Sequence, residues 1–167
     1  MDRILLKNCQ IWSKRHQTDI LIDGQRIAKI ESKQNAANHK TIDLSGKTVL
    51  PGFFNAHVHL YGVNGPLPDG LLQRFVTGGC TTVRDMGMTS ERDFTEYMRW
   101  LSTRQGPDYP KIIPSGKFLC GKNTFGAIHP SGTQVGYIID ETEEGAARAV
   151  DVMVDSGAQL IKTGLDD

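Results

Sequence analysis

Residues 41–60 read TIDLSGKTVLPGFFNAHVHL, and the succession of residue types along them divides the chain. TIDL and KTVL are short strand-like runs separated by Ser45-Gly46, a turn pair, since glycine accepts positive φ at no steric cost. Pro51-Gly52 closes this pattern, and GFFNAHVHL then reads as a new strand carrying His57 and His59. On a strand, residues i and i+2 point to one face. The two imidazoles therefore stand side by side, and each could give one nitrogen to a shared ion at about 2.0–2.1 Å. Spacing alone also admits two histidines that merely lie close together.

Upstream of this stretch, RILLKNCQIW (3–12), TDILIDGQRIAKIES (18–32) and KTIDLSGKTVL (40–50) predict short strands joined by turns. Asp23-Gly24 is a hairpin signal, because both residues tolerate the φ values of a tight turn. SKQNAANHK (32–40) is polar and reads as a surface loop, with His39 solvated within it, and His16 takes the same reading. Residues 1–50 are thus a small all-β unit.

Downstream, the rhythm changes to strand and helix in alternation. DGLLQRFVTGG (69–79) reads as a helix ending at Gly78-Gly79, and CTTVRDMG (80–87), rich in β-branched residues, as the next strand. Ser90 can cap a helix with Asp93 at its third position, followed by an apolar stripe at Phe94, Tyr97, Met98 and Leu101. PKIIPSGKFL (110–119) is a third strand interrupted at Pro114. A glycine-rich stretch, CGKNTFGAIHPSGTQVG (120–136), is long enough to be a functional loop. Asp140 with Glu143 resembles a capping pair for a helix with Ala146, Ala147, Val150, Met153 and Val154 on one face, stopping at Gly157. AQLIKTGL (158–165) is the fourth strand, and the alternation implies parallel, right-handed βαβ units.

Composition narrows the function classes. Nineteen basic residues balance 19 acidic ones, with 38% hydrophobic and 23% charged residues, so no charge excess draws nucleic acid or an anionic membrane. No run reaches the ~20 apolar residues of a membrane span. Cys9, Cys80 and Cys120 are odd in number and lack a CxxC pattern, which fits reduced thiols in a cytoplasmic protein.

The string at 41–60 resembles the entry to the barrel in the amidohydrolase superfamily, metal-dependent hydrolases in which a small β-sandwich precedes a (β/α)8 barrel. Asp43, Gly46, Val49, Pro51, Gly52, Asn55, Ala56, His57 and His59 fall on that family's pattern. LLQRFVTGGCTTVRDMG (71–87), PKIIPSGKFLCG (110–121) and VDSGAQLIKTGLDD (154–167) resemble the imidazolonepropionase-like and Xaa-Pro-dipeptidase-like branch. The resemblance implies an α/β fold with an N-terminal β-sandwich segment, 1–50, followed in 51–167 by the first half, about four βα units, of a TIM-like (β/α)8 barrel.

It also implies a site. His57 and His59 match the first metal ligands, and Lys162 matches the fourth-strand lysine that reacts with CO2 to form a carbamate bridging two ions. An ammonium cannot coordinate, whereas a carbamate is an anionic oxygen donor; its formation needs a neutral amine in a setting that depresses the lysine pKa. His129 corresponds loosely to a histidine facing the substrate, although Ile128 and Pro130 depart from the usual flanks. Arg84 and Asp85 either line the site mouth or form an internal salt bridge.

The implied function is hydrolysis of a carbon-nitrogen bond, in an amide, cyclic amide or dipeptide, by a water activated on zinc or a similar divalent ion. The substrate is a small molecule. A barrel of this kind takes about 250 residues, and the family's remaining histidines and general-base aspartate are expected beyond residue 167. The expectation is an N-terminal portion, inactive alone and able to self-associate through an open barrel edge. Two alternatives stay open: a mononuclear deaminase of the same superfamily, and a non-catalytic binding or assembly module.

Overall fold

The hairpin at Asp23 forms, with its turn displaced by one residue from the expected pair. In the computed structural model, which describes residues 3–13, 16–35, 39–62, 64–87, 94–127, 134 and 136–164, Asp23 pairs with Arg26 and the loop is Gly24-Gln25. Only Gly24 takes positive φ, at 60°, as in a type II′ turn. The chain divides into two compact units, Met1–Pro51 and Gly52–Asp167.

The first unit contains β1 (Arg3–Ile11), β2 (Gln17–Asp23), β3 (Arg26–Glu31), β4 (Lys40–Asp43) and β5 (Thr48–Val49). They form one sheet in the order β3-β2-β1-β4, with β5 also on β1; β1 pairs antiparallel with β2 and parallel with β4 and β5. Leu5, Cys9 and Ile20 are its buried apolar residues. Buried Asp19 accepts hydrogen bonds from the backbone N–H groups of Asn8 and Gln34, each at 2.9 Å, which offsets the cost of taking a carboxylate out of water. At Ser45-Gly46 the N–H of Lys47 donates to the Leu44 carbonyl and Gly46 has φ 74°, the geometry of a type II turn. The described strands of this unit form a single mixed sheet, because parallel β4 and β5 return to β1 itself. One expectation is corrected. His39 is half-buried, with Nδ1 shielded and without a hydrogen-bond partner, so it is not a freely solvated loop histidine.

The second unit runs β6 (Phe53–Val58), β7 (Tyr61–Gly62), β8 (Gly65–Pro66), α1 (Asp69–Thr77), β9 (Cys80–Asp85), α2 (Phe94–Ser102), β10 (Lys111–Pro114), β11 (Leu119–Cys120), β12 (Tyr137–Ile138) and α3 (Glu143–Asp155). Its main sheet is parallel, ordered β10-β9-β6. Gly52, at the head of β6, lies so close to Thr81 that any side chain there would collide with it. On the helix side of the sheet, Leu60, Leu72 and Val83 form a core flanked by Val58, Phe75 and Ile112. Tyr61, Phe94, Tyr97 and Leu101 form a second cluster. Leu119, Ala149 and Met153 form a third, beneath α3.

The described part of the expected fourth strand, residues 158–164, does not form a strand. The Gln159 N–H donates to the Pro114 carbonyl and the Leu119 N–H to the Lys162 carbonyl, and Thr163 forms an isolated bridge with Leu119. Between those contacts the partner chain turns away at Pro114, which has no N–H, and at Gly116, with φ 77°, so the ladder is broken. The α3 cap is Thr142 in place of Asp140: its hydroxyl accepts from the Gly145 N–H at 3.0 Å. The buried face of α3 is Gly145, Ala149 and Met153, and Val154, expected on it, is exposed. The Ser90–Asp93 cap lies outside the described residues. No helix among the described residues is long and apolar enough to cross a membrane.

Candidate functional site

His57 is the penultimate residue of β6, and His59 lies just beyond the strand's end. The register between β6 and β9 slips between Asn55 and Val58, and Val58 then pairs with Asp85. Asn55 stabilises this irregular stretch, its Oδ1 accepting from the His57 N–H at 3.1 Å. The result brings the two Nε2 atoms to 3.3 Å, with ring centroids 5.2 Å apart and planes at 62°. His59 Nδ1 lies 2.8 Å from the Gly87 carbonyl oxygen, which can only accept. The proton of neutral His59 is therefore assigned to Nδ1, leaving Nε2 with a bare lone pair.

His57 is held below the ordinary histidine pKa, first by desolvation and then by the positive charges of His59, Lys162 and Arg84. A depressed pKa favours the neutral imidazole, the form able to coordinate. Lys162 is half-buried; its carbonyl is engaged by Leu119, and its side chain is near enough for its charge to act on His57. The structure thus brings His57, His59 and Lys162 into one neighbourhood within the second unit. His129 lies outside the described residues. Among the described residues there is no group of three His, Cys, Asp or Glu side chains arranged to hold an ion.

Arg84 and Asp85 separate, because neighbouring residues of β9 point to opposite faces. Arg84 acts on His57 and keeps a buried Nε without a hydrogen-bond partner. Asp85, only 1% exposed, turns toward the helices, where the Tyr97 hydroxyl donates to its Oδ2 at 2.6 Å. Its carboxyl also accepts from the backbone N–H groups of Leu60, at 3.4 Å, and Gly87. Burial pushes Asp85 above the usual carboxylate range, while the Tyr97 hydrogen bond, the two N–H groups and the nearby His59 pull it down. Tyr97 is pushed far above the ordinary phenol, first by burial and then by the Asp85 charge and hydrogen bond.

Gly87 and Tyr97 were not singled out as site residues from the sequence. Gly87 has φ 120°, and a Cβ there would stand 3.2 Å from Cβ of Phe118. In the sequence Gly87 is only a glycine two residues past the β-branched run of Cys80–Asp85, 28 positions from His59, and carries no signal of that contact. Tyr97 was visible only as one member of an apolar stripe.

No family model matches the chain. It is nevertheless similar, over parts of their length, to enzymes of the amidohydrolase type. The dihydroorotase of Staphylococcus epidermidis is 38% identical to it over 108 residues, which is 60% of this chain and 25% of that enzyme. The solved structure of a prolidase complexed with N-methylphosphonate-L-proline is 26% identical, with a TM-score of 0.72, over 96% of this chain and 46% of its own. A dihydropyrimidinase from Brevibacillus agri, at 18% identity and a TM-score of 0.62, shares the fold over 99% of this chain and 40% of its own. The chain therefore spans about a quarter of its curated relative and less than half of these solved structures.

Proposed function

We propose that this chain supplies the first metal ligands of a hydrolase acting on the carbon-nitrogen bond of a small amide, cyclic amide or dipeptide. The observation that carries the reading is the 3.3 Å separation of the His57 and His59 Nε2 atoms. Two nitrogens each about 2.0–2.1 Å from one ion, at a near-tetrahedral angle, stand about 3.3–3.4 Å apart. His59 has its proton on Nδ1 and a bare Nε2; His57, biased toward the neutral form, donates from Nε2 to His59 in the metal-free chain and would coordinate through Nε2 with its proton moved to Nδ1. Donor chemistry and spacing thus fit a divalent ion such as zinc.

His57 and His59 would hold the ion, with Lys162 joining as its carbamate, in which the amine nitrogen bonds to CO2 and loses a proton. When bound, such an ion lowers the pKa of water and polarises the carbonyl under attack. Asn55 fixes the backbone at His57, and Gly87 orients His59. Arg84, with an unpaired Nε on the His57 side, offers a donor to an anionic group on the substrate. Names among the relatives, dihydroorotase and prolidase, support the amide and cyclic-amide class. The fold proposed for residues 51–167 is the opening part of a (β/α)8 barrel, and for 1–50 a segment of the accompanying β-domain.

The test is titration of the purified chain with zinc in the presence and absence of bicarbonate. Binding should strengthen with bicarbonate in the wild type and lose that response in Lys162→Ala. An unchanged response in Lys162→Ala would remove the carbamate from the proposal.

A further inference from the structure

Asp85 stands outside the proposed ligand set yet is tied to His59 from two directions. One bond runs to the N–H of Leu60, the residue that follows His59 in the chain. The other runs to the N–H of Gly87, whose carbonyl is the acceptor for His59 Nδ1. A single carboxylate therefore restrains both the backbone leaving His59 and the loop that orients its ring. Asp85 is in turn fixed by Tyr97 at 2.6 Å; both are 1% exposed, so neither is free to exchange its partner for water. Tyr97 is itself clamped by aromatic contacts, stacked on Phe94 at 5.4 Å and edge-on to Tyr61 at 5.7 Å.

We propose that Asp85, locked by the Tyr97 hydroxyl, is a positioning residue that sets the tautomer of His59, keeping its proton on Nδ1 toward Gly87 and its Nε2 lone pair toward His57. A satisfied core pair would need only the Tyr97–Asp85 bond. The two backbone N–H groups flanking His59 make the pair directional, because loosening either one releases the Gly87 carbonyl or the His59 peptide. Asp85 and Tyr97 are both buried among the helices, so the proposed effect passes through His59. The metal consequence rests on the reading of His59 as a ligand, whereas the tautomer does not.

The experiment uses the full chain with 15N-labelled histidine. Long-range 1H–15N spectra of the metal-free protein report which nitrogen of His59 carries the proton, with His59→Gln providing the assignment. The wild type should show Nδ1–H, and Tyr97→Phe and Asp85→Asn should shift His59 toward Nε2–H. A packing control in the separate α3 cluster, Met153→Ala, should leave the tautomer unchanged. Zinc titration of the same proteins should show affinity reduced by about 10–100-fold in Tyr97→Phe, the usual effect of losing an outer partner of a metal-bound histidine. Nδ1–H in the wild type with a shift in folded Tyr97→Phe, or in folded Asp85→Asn where Tyr97→Phe does not fold, supports the proposal, even if zinc does not bind, in which case the ligand reading alone fails. Nε2–H in the wild type overturns it whether or not the variants fold. An unchanged tautomer in folded Tyr97→Phe also overturns it and leaves zinc binding as a separate matter.

Discussion

Removing the Tyr97 hydroxyl deprives a buried carboxyl of its shortest hydrogen bond. Tyr97→Phe should therefore cost about 1–3 kcal/mol of stability, the usual penalty for leaving a buried group unpaired. The same residue predicts a pH effect. Its pKa is raised in the folded chain above the ordinary 10.0, so the folded state keeps a proton that the unfolded state releases above that pH. The stability it contributes is complete below pH 10 and falls as pH rises further, by up to about 1.4 kcal/mol per pH unit. Urea unfolding at pH 9 and 11 should show the wild type losing this increment and Tyr97→Phe lacking it. Cys9 offers a simpler test. Burial raises its thiol pKa, and its Sγ lies 3.2 Å from the Thr18 carbonyl, so under native conditions it should react with iodoacetamide more slowly than half-buried Cys80. Mass spectrometry of labelled peptides would measure this. At this scale the sequence revealed the His57–His59 spacing, because period-two alternation is local. It did not reveal Asp85–Tyr97, because an apolar stripe containing a tyrosine does not say which strand residue its hydroxyl will meet.

Helices and strands were legible where their signals were local and strong. α1 ends at Gly78-Gly79 as its glycines predict, and β9 follows from its β-branched run. The fourth strand was misread because its pairing depends on a partner bent at Pro114 and Gly116, a property of residues more than forty positions upstream. The α3 cap moved for a local reason: Thr142 reaches the Gly145 N–H, and Thr142→Ala should cost about 1 kcal/mol in urea unfolding. β6 is an edge strand of the described sheet, and Phe53 and Phe54 remain 58% and 53% exposed on it. Exposed aromatic residues on an open edge favour association. Light scattering against concentration should show less self-association for Phe53→Lys/Phe54→Lys than for the wild type.

Across the whole molecule, the sequence marked the change of architecture near Pro51 because composition and rhythm change there. The single mixed sheet of the first unit was less legible, since short strands do not announce which neighbours they will choose. The second unit gathers His57, His59 and Lys162 although more than a hundred residues separate the pair from the lysine, an arrangement suggested by family resemblance and not by spacing. The likeness to dihydroorotase and prolidase and the Nε2 geometry are the two observations that support the proposed metal reading of the pair. The most direct measurement is zinc stoichiometry and affinity by calorimetry for the wild type, His57→Ala and His59→Ala, with circular dichroism confirming that each is folded. The account predicts zinc binding by the wild type and its loss, or a fall of at least tenfold in affinity, in each variant. Equal binding by all three folded proteins, or none by the wild type, would contradict it.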